Sequence, residues 1–187
     1  MCYVRQKNLK GLGDAIACAE KHTGGEPFAV LLGDSITKSA KPCTKQLIDV
    51  FNKYKKPAIS IREVPCDKVC SYGIVDGDKI DENTYKITQL IEKPKRNQAS
   101  SNLAILGRYI LTEDIFDRIK ETKPGFNGEI QLTDAMSKLE KIYGVKFTGK
   151  VFNIENRLEW IKSSIDYAMA DDEFKDDLVS YMKTFVG

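Results

Sequence analysis

The run FAVLLGD constrains the fold most: five apolar residues, Phe28–Leu32, closed by Gly33 and Asp34. Strict alternation would give a half-exposed strand, whereas an unbroken apolar run predicts one buried on both faces. Such strands belong to sheets covered by helices. Residues 44–54 follow with Leu47, Val50, Phe51 and Tyr54 at helical spacing, and AISIREV, Ala58–Val64, predicts a second strand. Strand, helix, strand with short joins is the βαβ unit, so the chain reads as α/β. Its 187 residues are enough for one filled core.

Ahead of this unit, Asp14–His22 predicts a helix with its alanines and Cys18 inward. Behind it the pattern changes. Residues 72–75 and 85–91 read as strands of a small antiparallel meander, with a D-G turn at Asp76-Gly77. Leu103–Leu111 predicts a further strand. LTEDIFDRI predicts a helix capped by Thr112, with Ile115, Phe116 and Ile119 inward. A helix opened by Thr133 carries Ala135, Met136, Leu139 and Ile142, and KFTGKVFNI reads as a two-stranded hairpin. Two helices, 156–168 and 173–185, close the chain. Leu158, Ile161 and Ile165 line the inner face of the first, and Phe174, Leu178 and Met182 that of the second.

Charge excludes some functions. Lys plus Arg number 29 against 27 Asp plus Glu, a net charge of +2, which argues against a nucleic-acid binder. The basic patches KYKK at Lys53–Lys56 and KPKR at Lys93–Arg96 lack interleaved aromatics and read as solvated surface. The apolar runs are too short to span a bilayer. Five cysteines and one histidine show no zinc-site spacing, and an odd cysteine count predicts a reducing, cytoplasmic setting. Cys18 and Cys43 read as buried or inert, Cys2 as exposed and oxidisable, and His22 as a solvated turn residue. No G-x-S-x-G elbow supplies a nucleophile.

Asp34 is the first candidate for chemistry. At the carboxyl end of a strand it lies where α/β sheets open their ligand crevice, and its oxygens suit Mg²⁺; capping the next turn is the alternative. Glu92-Lys93-Pro94 ends a strand, and Pro94 holds its predecessor extended. Glu92 there can accept hydroxyl hydrogens and Lys93 can meet a phosphate, or the two are a surface pair. Asn127-Gly128-Glu129 leads into a helix carrying Gln131, Thr133 and Asp134, a pattern that capping also explains. Ser101-Asn102 fits turn chemistry. Gly11 and Gly13, in VRQKNLKGLGDAIACA, precede a helix without the strand that a phosphate loop needs.

Together GLGDAI, EKP, SNLA-x-x-GRY and GEIQLTDA resemble the sugar-phosphate nucleotidyltransferase family, most closely its UTP–glucose-1-phosphate uridylyltransferase branch, over nearly the whole chain. The resemblance implies an incomplete Rossmann-like three-layer fold: a mixed sheet, small antiparallel additions and C-terminal helices. Residues 1–187 would be a single C-terminal part of a nucleotidyltransferase domain, with a helical tail over 156–187. It also implies Mg²⁺-dependent transfer of a uridylyl group from UTP to glucose 1-phosphate, giving UDP-glucose and pyrophosphate. By the same resemblance Gln6 and Gly11 contact uracil, Asp34 binds Mg²⁺ beside the α-phosphate, and Gly73 lets backbone approach the sugar. Glu92 bonds glucose hydroxyls, and Lys93 meets the sugar phosphate.

Three departures stand out. The family's G-x-G-T-R phosphate loop and its downstream lysine are not in this sequence, so a missing N-terminal segment or a second copy of the chain is the expected partner. Asn153 stands where the family has a second metal carboxylate. Glu155 replaces a glycine, and Arg157 a lysine. These departures predict weak or absent catalysis by the chain alone. A degenerate, non-catalytic ligand-sensing or interaction module is the alternative, and thymidylyl- and cytidylyltransferases share the architecture.

Overall fold

The structure is a computed structural model that describes residues 1–154 and 156–186. Its elements, in chain order, are α1 (Leu12–Ala17), α2 (Glu20–Thr23), β1 (Phe28–Leu31), β2 (Ser35–Lys38), α3 (Cys43–Tyr54), β3 (Ala58–Glu63), β4 (Gly73–Lys79) and β5 (Thr84–Glu92). After them come β6 (Leu103–Leu111), α4 (Asp114–Lys120), α5 (Leu132–Met136), β7 (Tyr143–Lys146), β8 (Lys150–Asn153), α6 (Arg157–Ala168) and α7 (Lys175–Val186). They fall into two compact units. The first is Met1–Leu31 with Lys41–Thr148, and the second is Leu32–Ala40 with the chain from Gly149 onward.

The first unit is built on a six-stranded mixed sheet in the order β1-β6-β3-β7-β5-β4. All nine residues of β6 are buried, Arg108 among them. One edge of β6 carries β3. Its other edge carries β1 along Arg108–Leu111 and β4 at Leu103 and Ala104. Because β4 pairs with β5, β5 with β7, and β7 with β3, the ladder returns to β6 and closes on itself.

The expected crossover is present with one change. β1 and β3 are both antiparallel to β6, so they run parallel to each other with β6 between them. This corrects the reading of Phe28–Leu32 as buried on both faces. Among the described residues β1 pairs only with β6, and Leu31 is 56% exposed. Over the sheet, Leu47 of α3 packs with Ala58, Ile110 and Val145. A second cluster joins Val64, Val69, Ile74 and Ala104. Phe28 stacks on Phe116 at 5.3 Å, and Tyr54 on Tyr143 at 4.2 Å. Each fully buried side chain of this size contributes about 1.5–3 kcal/mol.

Several local expectations change. Asp76-Gly77 is not the meander's turn: β4 runs through it, and the register shifts there as in a β-bulge. A Cβ on Gly77 would lie 2.3 Å from the Lys86 carbonyl oxygen, so glycine marks a close strand approach. The chain turns instead at 80–83, where Asp81 Oδ1 accepts from the amides of Asn83 and Thr84. The helix at Thr133 stops at Met136, short of Leu139 and Ile142, although both are buried. Thr112 bonds the Asp114 carboxylate, and α4 has no side-chain cap. The first helix is two short ones, with Ile16 inward and Cys18 exposed.

KFTGKVFNI is not a hairpin. β7 joins the large sheet, and the Phe147 amide extends its pairing by donating to Ile61 O. β8 pairs antiparallel with β2 in the second unit. There α6 is capped by the Asn156 side chain, which accepts from the amides of Leu158 and Glu159. Asp166 draws in Lys38 at 2.8 Å and Lys150 at 2.7 Å, so one carboxylate ties the helix to both strands. The expected inner faces are only partly covered. Leu158, Ile161 and Phe174 are exposed, while Ile165, Leu178 and Met182 are half-buried. No helix among the described residues is long and apolar enough to cross a membrane.

Candidate functional site

In the first unit the sequence candidates converge on one segment, 125–134. The two glycines of GLGDAI face it. Gly11 has φ +101°, and a Cβ there would lie 2.8 Å from both Glu129 Cβ and Ile130 O; a Cβ on Gly13 would lie 2.8 Å from Ile130 O. Removing both side chains lets the strands of chain bond directly. The Ile130 amide donates to Lys10 O at 2.7 Å, and the Gly13 amide donates to Ile130 O at 2.9 Å. The glycine pair is therefore a backbone-docking device as well as a candidate ligand contact.

Gln6 lies against the same loop. Its amide nitrogen donates to Gly11 O at 3.1 Å and to Asp14 Oδ2 at 2.6 Å. Both partners are pure acceptors, so the NH₂ must face them and Oε1 is left as the outward acceptor. Arg5, Lys7, Lys10 and Asp14 line a cleft in this region, with three cations among its walls.

Glu92 ends β5 directly opposite Gly73 of β4. Its Oε2 accepts from the Thr133 hydroxyl at 2.6 Å. A Cβ on Gly73 would sit 3.0 Å from each of those two oxygens, so the glycine leaves the space that the pair occupies. Burial pushes the Glu92 carboxyl above its ordinary range, aided by Asp134 and Glu129, while Thr133 and Lys93 pull it down. Burial also raises the Asp134 carboxyl.

Lys93 adopts φ +43° ahead of Pro94, a conformation that costs a non-glycine residue free energy. Its amide donates to Tyr72 O, and its ammonium lies 5.1 Å from the centre of the Phe126 ring. The extended geometry that the proline suggested is thus replaced by a left-handed turn. Gln131 bonds Phe126 O and Glu129, and Asn127 and Gly128 both have positive φ, which lets the loop double back before α5. Ser101 and Asn102 satisfy backbone carbonyls of Val75 and Val64, a structural task.

The remaining candidates are in the second unit. Asp34 Oδ1 is buried and has no hydrogen-bond partner among the described residues, an acceptor of the kind a cation satisfies. The Asp34 carbonyl accepts from the Ile154 amide, and Ser35 pairs with Asn153 across the β2–β8 ladder. A carboxylate and an amide oxygen fit Mg²⁺, which keeps several waters and needs few protein donors. Among the described residues no three His, Cys, Asp or Glu cluster around a metal-sized point. Glu155 lies outside the described residues.

Sequence reasoning missed the tie between Thr133 and Glu92 and the contact between Phe126 and Lys93. GEIQLTDA singled out Thr133, but nothing local names a partner 41 residues away.

The nucleotidyl transferase family profile matches residues 1–152. A UTP–glucose-1-phosphate uridylyltransferase of Staphylococcus haemolyticus is 44% identical over 184 residues, 97% of this chain and 64% of the relative. Among solved structures, a UDP-glucose pyrophosphorylase complexed with UDP-glucose superposes with a TM-score of 0.86 at 42% identity, covering 91% of this chain and 66% of that one. A UTP-bound enzyme from Acinetobacter baumannii gives 0.85 at 29% identity, covering 96% and 64%. The chain thus spans about 64% of the length of the curated relatives it matches. It belongs to the nucleotidyl transferase family.

Proposed function

We propose that the chain carries the uridine-sugar side of a uridylyl transfer site, in which UTP and glucose 1-phosphate give UDP-glucose and pyrophosphate. The observation that carries this reading is the convergence of Gly11, Gly13, Gly73, Glu92 and Lys93 on segment 125–134. The Gln6 Oε1 acceptor suits a base with an imino N–H, such as uracil or thymine, and not cytosine, whose N3 is itself an acceptor. Glu92 accepts glucose hydroxyls. Lys93 meets the sugar phosphate, exchanging the Phe126 ring for an anion.

In this reaction a phosphate oxygen of glucose 1-phosphate attacks the α-phosphorus in line, and pyrophosphate leaves. The nucleophile is already charged, so the protein supplies alignment and positive charge, not a base. Bound Mg²⁺ would supply charge neutralisation at the phosphates, held by Asp34 and Asn153. A neutral Asn153 contributes no charge of its own, which supports weak or absent turnover by this chain alone. Residues 1–187 are on this reading one part of a nucleotidyltransferase domain, with the helices after Asn156 as a tail. A cytoplasmic setting and a second copy of the chain, or a further segment, as partner complete the proposal.

Asn153 favours one second reading, a non-catalytic module that still binds the nucleotide sugar. Isothermal titration with UDP-glucose and with glucose 1-phosphate tests what both share: binding is expected, and is lost in Glu92→Ala. Silence with both ligands at millimolar concentration contradicts the sugar site. UDP-glucose formation that is abolished in Asp34→Ala separates the enzyme from the module.

A further inference from the structure

Resting on the reading of Glu92 as the sugar ligand, we infer that Thr133 is a positioning residue that fixes the plane of the Glu92 carboxylate. Thr133 is 6% exposed and donates its hydroxyl to Glu92 Oε2 at 2.6 Å. A carboxylate at the end of a flexible glutamate would otherwise rotate about its terminal bonds. With Oε2 held, Oε1 is the carboxylate oxygen left for a ligand hydroxyl. Threonine suits this work because its branched Cβ restricts χ1, so the hydroxyl is itself aimed.

Three neighbours make the arrangement specific. Gly73 leaves the volume that the pair fills, since a Cβ there would press on both oxygens. Lys93 supplies a compensating positive charge from the next residue, whereas Asp134 and Glu129 act against it. Burial disfavours the charged carboxylate, and the Thr133 bond offsets part of that penalty. Thr133 therefore holds Glu92 in one orientation and favours its ionised form, the state that accepts hydroxyl hydrogens, against the burial that disfavours it.

The test uses the whole 187-residue chain, with UDP-glucose and UDP as the two probes, in wild type, Thr133→Val and Thr133→Ser. Valine keeps the shape and removes the donor. We expect Thr133→Val to weaken UDP-glucose about tenfold and leave UDP unchanged. Thr133→Ser should restore most of the affinity. Equal binding of UDP-glucose by wild type and Thr133→Val overturns the proposal. A matching loss for both probes also overturns it, because a disturbed segment 129–134 would reach the Gly11 side through Ile130. A wild-type chain indifferent to the glucosyl group instead overturns the reading of Glu92 as sugar ligand. A ligand-free measurement keeps the two apart: ¹³C NMR titration of the Glu92 carboxyl should show its midpoint rising in Thr133→Val. An unchanged midpoint overturns the hold of Thr133 on Glu92.

Discussion

The two units differ in how they keep their functional groups in place. In the first, a closed ladder of strands surrounds buried apolar side chains, and each candidate residue is gripped by a neighbour. In the second, Phe152 is the one buried apolar side chain among the described residues, and Ser163 the one buried polar side chain. Leu158, Trp160, Ile161, Tyr181 and Phe185 stand exposed there. Ion pairs and a capped helix replace the core. Surface ion pairs each contribute little, about 0–1 kcal/mol. The residues proposed for the sugar therefore rest on packing, and those proposed for the metal on a lightly held frame.

Core truncation should break this contrast most sharply. Phe116→Ala, at a 1% exposed ring stacked on Phe28, is expected to cost about 3–5 kcal/mol in denaturant unfolding. Trp160→Ala, at a ring 57% exposed, should stay within about 0.5 kcal/mol. A comparable loss at Trp160 would mean that the second unit has a core of its own.

Gly11→Ala should come next. The added methyl meets the backbone at Ile130 and also needs φ +101°, a cost of about 1–3 kcal/mol. UDP binding should fall with it, by tenfold or more, as read by titration. Unchanged affinity would separate the docking role of the glycine from base recognition.

One carboxyl group in each unit, Glu92 and Asp166, should also answer acid in opposite directions. Lys150 and Lys38 hold the Asp166 carboxyl below its ordinary value. Its contribution is present above the unfolded value, about 3.9, and lost as pH falls through the folded one. Glu92 is raised by burial, so its folded state prefers the proton. That contribution is full below the unfolded value, about 4.3, and is lost as pH rises through the folded one. Hydrogen exchange over descending pH should show amides of α6 losing protection while those flanking Glu92 gain it. Parallel losses in both places would contradict the assignment.

The smallest effect is expected at Phe126→Ala. An exposed cation–π contact contributes about 0.5–1 kcal/mol, so glucose 1-phosphate affinity should change by only a few-fold in titration.

Much of the fold was legible where the sequence is most apolar. Leu103–Leu111 matches β6 end to end, and all nine of its residues are buried. Legibility failed where one residue type serves two purposes. Gly77 after Asp76 spells a turn, yet here it relieves a strand-to-strand approach. Lys146 and Phe147 spell half a hairpin, yet the chain there continues a parallel pairing set by β3. The helix faces at Leu158 and Phe174 have the right period, but periodicity names no partner. At the site, motifs singled out Gln6, Gly11, Gly73, Glu92 and Lys93. The bonds from Thr133 to Glu92 and from Gly13 to Ile130 depend on long-range folding and were invisible.

Amide NMR of the whole chain titrated with UDP-glucose tests the central claim most directly. The account expects shifts at Gly11, Gly13, Gly73, Lys93 and Thr133, residues scattered in sequence but joined by segment 125–134. Shifts confined to other residues, or none at millimolar ligand, would contradict it.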